Sequence, residues 1–202
     1  SIPILTGNPA WTGFPEVIPG SGAANTLAGE FEATSPARYL WAPDSEAFEF
    51  ADFTIEAYIQ IEEFGKDTNA RTIASQLNTG TATTASNAWQ FGITGDNTNL
   101  GSQRPLIQLS GTGNALISFT PSSAFKLEVN RNYYVAASVR FTGTGISTTF
   151  YLKDLTAGGV LRREVGTTTT TSFPSGIFNS TARFAIGASH ASGAASRHFD
   201  GI

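Results

Sequence analysis

Apolar and polar residues alternate most cleanly over Phe53–Glu62 (FTIEAYIQIE). Phe53, Ile55, Ala57, Ile59 and Ile61 fall on one face of an extended chain; Thr54, Glu56, Tyr58, Gln60 and Glu62 fall on the other. A helical period would scatter the apolar set around its circumference, so the pattern predicts a half-buried strand. Similar short runs follow at Arg71–Gln76, Ala88–Ile93, Arg104–Ser110, Ala115–Phe119, Tyr133–Phe141, Thr148–Leu155, Val160–Val165, Arg183–Ala188 and His198–Ile202. Turn-rich stretches such as TGDNTN, SGTGN, FTGTG and TAGG separate them. Ser122–Glu128 suits one helical turn, and no stretch reads as a long amphipathic helix. Strands without crossover helices predict antiparallel sheets, hence an all-β, two-sheet antiparallel jelly-roll sandwich.

Residues 1–37 break this rhythm. They hold five of the nine prolines and read as a loop-rich N-terminal lead-in that packs on the sandwich, with one short strand around Leu27–Ala33. Residues 38–202 form the sandwich itself, and the whole is one domain. Thr167–Thr171 reads as a solvated edge or loop.

Composition sharpens the picture. Charged residues are 14% of the 202 and the formal net charge is −4. Thr, Ser, Asn and Gly therefore supply most of the polarity, which suits sheets with neutral, hydrogen-bonding outer faces. No basic run follows a phosphate backbone, which argues against nucleic acid as a partner. No apolar run approaches the ~18 residues of a membrane span. Cysteine and methionine are absent, so thiol catalysis and Cys-ligated metals are excluded. The missing initiator suggests a processed chain or a domain of a longer one.

Four segments in order resemble the laminin-G-like jelly roll of the concanavalin-A-like lectin/glucanase superfamily. They are RYLWAPDSEAFEFADFTIEAYIQ (Arg38 to Gln60), RTIASQ (Arg71–Gln76), NRNYYVAASVRF (Asn130–Phe141) followed by TTFYLKDL, and FAIGASH followed by RHFDGI. The first resembles the family's strand, Pro-Asp-Ser turn and "FTIEAW"; the third resembles its "W-y-h-v-a" strand, with Tyr133 in place of the Trp. Relatives continue beyond the position of Ile202 with a further strand. The resemblance implies a concanavalin-A-like sandwich with Phe199 inserted between its sheets. It also implies an extracellular or cell-envelope setting, with any signal outside this sequence.

Glucanases on this scaffold carry the pattern E-x-D-x-x-E, which is absent. Glu56 and Glu62 share a face but lie six residues apart, ~20 Å along a strand, whereas retaining carboxylates stand about 5–5.5 Å apart. His190 and His198 have no zinc or triad motif around them, and TGTG lacks the Lys-Ser/Thr of a phosphate loop. The chain is thus expected to be no enzyme, with two alternatives: a structural or protein–protein interaction domain without a sugar ligand, and a glycoside hydrolase whose carboxylate pair is assembled from different strands. The expected role is a binding or adhesion module of a larger protein, with carbohydrate or neighbouring domains of the same polypeptide as partners. Glu56, Tyr58 and Gln60 on one outer strand face, or Trp89 beside Gln90, or Trp41, would give a ring and hydrogen-bonding groups for a sugar. Core packing is the alternative for each Trp. No cofactor is required; calcium is the metal that Asp96, Asn97, Asn99 and Asp200 would suit, although TGDNTN is also ordinary turn chemistry.

Overall fold

The computed structural model describes residues 4–6, 27–34, 37–66, 70–78, 87–96, 102–143, 145–166, 173, 176–191 and 194–202. Their strands are β1 (Ile4–Thr6), β2 (Leu27–Gly29), β3 (Leu40–Ala42), β4 (Phe53–Gln60), β5 (Arg71–Gln76), β6 (Trp89–Ile93) and β7 (Pro105–Leu109). Then come β8 (Ile117–Phe119), β9 (Asn132–Phe141), β10 (Ile146–Asp154), β11 (Arg162–Val165), β12 (Phe184–Ile186), β13 (Ser189–Ala191) and β14 (Ala194–Ser196).

One sheet has four strands in the order β11-β10-β9-β4, and the other has six in the order β3-β12-β5-β6-β7-β8. All the pairings are antiparallel. Two short ribbons, β1-β2 and β13-β14, complete the described strands. The fold is a two-sheet antiparallel sandwich, as the alternation predicts.

Period-2 alternation explains how each sheet acquires an inner face. Ile59 of β4, Val135, Ala137 and Val139 of β9, and Phe150 and Leu152 of β10 are buried in one core cluster. They share it with Trp89, Phe91 and Ile93 of β6, Ile107 and Leu109 of β7, and Phe119 of β8. Burying a large apolar side chain contributes roughly 1.5–3 kcal/mol, so this layer is the main stabilising element. Phe199 is 3% exposed and belongs to the same cluster.

Phe31 meets residues 199–201. Phe31 stacks edge-on against Phe199 at 6.3 Å and exchanges two backbone hydrogen bonds with Gly201. Gln60 exchanges two with Ile202, and the Glu62 amide donates to Asp200 O. The last three residues therefore clasp the end of β4, and Phe31 pairs with Gly201 beside it.

Three expectations need correction in detail. The strand expected over His198–Ile202 is reduced to isolated bridges of Gly201 with Phe31 and Ile61, because Phe199 turns aside to donate to Gly187 O. The strand expected over Arg183–Ala188 stops at Ile186, where Gly187 takes φ +80°, and the chain enters the β13–β14 ribbon. Val160 and Leu161 stay outside β11, 79% and 55% exposed. A one-turn 3-10 helix, Ser123–Phe125, stands where a helical turn was expected. Thr167–Thr171 lies outside the described residues.

Candidate functional site: the tyrosine face of the four-stranded sheet

The outer residues of β4 are joined by those of β9 and β10. Register sets Tyr58 beside Tyr134 and Lys153, and sets Glu56 beside Ala136, Tyr151 and Arg163. Thr54, Ser138 and Thr149 form the next row, and Gln60 lies beside Asn132. Neighbouring strands are ~4.8 Å apart, so three tyrosines and their polar neighbours cover roughly 10 Å across β4, β9 and β10.

Hydrogen bonds fix this surface. The Tyr134 hydroxyl donates to Glu56 Oε2 at 2.7 Å, and the Tyr58 and Tyr134 rings are 5.3 Å apart, inclined at 50°. The Gln60 amide donates to Asn132 Oδ1 at 3.2 Å, and the Thr54 hydroxyl donates to Ser138 Oγ at 3.1 Å. Partial burial, the hydrogen bond to Glu56 and that carboxylate's charge push the Tyr134 phenol well above its ordinary pKa, with smaller contributions from Tyr58 and Tyr151. Burial and Glu56 raise Tyr58 as well. These phenols stay neutral at physiological pH and offer hydroxyl groups and aromatic faces. Half-exposed rings flanked by fixed amides, hydroxyls and one carboxylate can cover the C–H face of a polyol ring while bonding its hydroxyls.

Of the residues predicted from sequence, Glu56, Tyr58 and Gln60 are brought together on this face. Trp89 is not, and this corrects the expectation for it. Its indole is 1% exposed, enclosed by Phe50, Phe53 and Phe184 at 5.8, 6.1 and 6.0 Å. Inward is the only direction that adds Trp89 to the apolar face of β6. Trp41 is 49% exposed, with the Arg183 guanidinium 4.1 Å from its ring centre. Tyr134 and Tyr151 were missed, as was Asn132, which is 4% exposed and serves this face by holding Gln60. Their own alternation places them opposite the core residues of β9 and β10, but nothing local says that β9 pairs with β4.

The calcium candidates are dispersed in character. Asp96 is exposed, and its backbone amide donates to Gly65 O. Asp200 is buried and accepts from the Ala33 amide at 3.3 Å. Asn97 and Asn99 lie outside the described residues. Among the described residues no group of three or more His, Asp or Glu side chains is arranged to hold a metal ion. Glu62 is pushed above the ordinary carboxylate range by burial and by the charges of Asp200, Glu30 and Glu32. Arg38 pairs with Glu30 at 3.1 Å. Among the described residues no helix is long and apolar enough to cross a membrane.

A separate cleft of about 480 Å³ opens beside β4, lined by Phe48, Phe50, Asp52, Phe141 and Phe178 among others. Asp52 there accepts from the Phe141 amide at 2.7 Å, so this carboxylate has a structural task.

No protein-family model and no curated protein matches the sequence. Among solved structures, the chain is similar to full-length tailspike protein 2 from Escherichia coli O157:H7 bacteriophage CAB120, with a TM-score of 0.51 and 14% identity. That similarity covers 88% of this chain and 21% of the tailspike. It is also similar to the enzymatically active domain of bacteriophage CBA120 tailspike protein 2, with a TM-score of 0.52 and 14% identity over 87% of this chain and 24% of that one. At this identity the likeness concerns the fold. The chain spans less than a quarter of the length of either tailspike protein.

Proposed function

We propose that this chain is a non-catalytic carbohydrate-binding module of a larger extracellular or envelope protein, built on a laminin-G-like, concanavalin-A-like sandwich. The observation that carries the reading is the outer face of β4, β9 and β10. There Tyr58, Tyr134 and Tyr151 stand beside Glu56, Gln60 and Asn132, held by the hydrogen bonds of Glu56 and Asn132. A prearranged aromatic surface loses little side-chain freedom when it meets a saccharide. The similarity to a part of much longer tailspike chains supports the modular side of the reading. The non-catalytic side is supported by the carboxylates of β4: Glu56 is engaged by Tyr134, and Glu62 sits at the other end of the segment, beside the clasping residues 200–202.

The test is a glycan array with pull-downs on insoluble polysaccharides. Wild-type protein is expected to retain a saccharide, and Tyr134→Ala or Tyr58→Ala to lose at least about tenfold in affinity, equivalent to ~1.4 kcal/mol. Both variants should keep the wild-type circular dichroism, since neither ring is in the core. Failure to bind any polysaccharide, together with capture of a neighbouring segment of the same polypeptide, would replace this reading with a structural docking role.

A further inference from the structure

Arg197 follows β14 directly, at φ +52°. Its Nη1 donates to Oε1 of Gln90 at 2.9 Å and to Oε1 of Gln108 at 3.3 Å. These glutamines project from β6 and β7 on the outer face of the six-stranded sheet. Gln90 is fully buried and gives its own amide to Thr72 Oγ1 at 2.8 Å. Gln108 gives its amide to Ser118 Oγ at 2.8 Å. With both amide nitrogens used elsewhere, both carbonyls are left to face the guanidinium. Two neutral carbonyls satisfy hydrogen bonds but do not cancel a charge.

Burial lowers the proton affinity of Arg197, and no acidic side chain among the described residues offsets that. A half-buried cation without a counter-charge is costly to the fold. Its Nη2 and Nε have no hydrogen-bond partner among the described residues, so two donors of the planar fork are free for a bidentate acceptor.

The same residue lines a cleft of about 630 Å³ with Thr34, Lys66, Arg71, Ser196 and His198. Arg71 builds the wall: its three nitrogens donate to the backbone oxygens of Glu63, His198 and Phe64. Glu63 is the acid among the described residues lining this cleft, 3.8 Å from Arg71. Among the described residues that line the cleft, Lys66, Arg71 and Arg197 thus stand with one carboxylate, in a chain whose formal net charge is −4. The local excess is positive where the whole molecule is acidic, and a concave low-dielectric wall concentrates that field.

We propose that this cleft is an oxyanion-binding site, in which Arg197 and Lys66 receive the carboxylate or sulfate group of an acidic saccharide. The saccharide part rests on the function proposed above. The site is a different surface from the tyrosine face, since it opens by the six-stranded sheet and the β13–β14 ribbon. Arg197 supplies the directional bonds and Lys66 a mobile charge at the rim.

Calorimetric titration of the full chain at low salt tests this, using oligogalacturonate, a sulfated oligosaccharide and a neutral oligoglucoside. At least one acidic probe is expected to bind more tightly than the neutral one, and more weakly as salt rises. Arg197→Gln should weaken that binding at least about tenfold and Lys66→Ala about threefold, while Tyr134→Ala leaves it unchanged. The two acidic probes separate a carboxylate source from a sulfate source, and either one acting through these residues upholds the site. Acidic probes that bind no better than the neutral one, or that bind both cleft variants as they bind wild type, overturn it. Should Arg197→Gln fail to fold, exposed Lys66→Ala decides. Loss of neutral-glycan binding with Tyr134→Ala reports on the sheet face alone, so the two proposals fail separately.

Discussion

Two tryptophans, each at a strand position, have opposite fates. Trp89 is enclosed by three phenylalanines in the core, while Trp41 lies half-exposed under Arg183. Trp89→Ala is expected to destabilise by roughly 3–5 kcal/mol, the usual cost of emptying a buried aromatic site, measurable by urea unfolding. In native protein the Trp89 contribution to fluorescence should resist acrylamide, and the Trp41→Phe variant should lose the quenchable share that Trp41 supplies. His198 carries a second residue-scale consequence. Burial holds its imidazole below the ordinary histidine pKa, the Ala195 carbonyl opposes that, and Arg71 adds to it. The unfolded chain therefore binds the proton more readily than the folded one. The stability this contributes is present above the unfolded value of about 6.5 and is lost as pH falls through the folded value. Thermal unfolding between pH 7 and pH 5 should show that loss, and His198→Gln should flatten it.

At the scale of elements, β4 organises most of the molecule. Its inner residues enter the core, its outer residues carry the candidate face, and its C-terminal end is clasped by residues 200–202. The clasp depends on Gly201, whose φ is +140°. A Cβ there would lie 1.9 Å from Gln60 O, so the backbone of β4 would have to move. The conformation alone disfavours a side chain by on the order of 1–3 kcal/mol, and a domain of this size loses ~2–4 °C per kcal/mol. Gly201→Ala is thus expected to lower the melting temperature by several degrees while leaving β9–β10 intact, with the loss of amide protection in hydrogen exchange confined to Phe31, Gln60, Glu62 and residues 201 and 202. β4 itself was legible, because its alternation is long and unbroken. The terminal strand was not, because five residues ending in Phe-Asp-Gly-Ile alternate too briefly to separate a strand from a clasp.

At the scale of the whole molecule, the distances along the chain between partners matter most. Gln60 meets Asn132 72 residues away and Thr54 meets Ser138 84 residues away. Closing such loops precedes any reward from the contacts, so refolding is expected in the millisecond-to-second range typical of non-local β topologies. Stopped-flow fluorescence of a Trp11→Phe/Trp41→Phe variant, which keeps Trp89 alone of the three tryptophans, measures it.

The sequence alone determined that the chain is all-β, which face of each long strand turns inward, and that Glu56, Tyr58 and Gln60 share an outer surface. These follow from a period of two, which is a local property of the backbone. Only the tertiary structure decided that Tyr134 and Tyr151 complete that surface, that Trp89 belongs to the core, and that Arg197 stands beside two glutamines with no carboxylate partner among the described residues. Those facts depend on which strands are neighbours. Pairing across 72 or more residues is set by the packing of the whole core rather than by any segment within it.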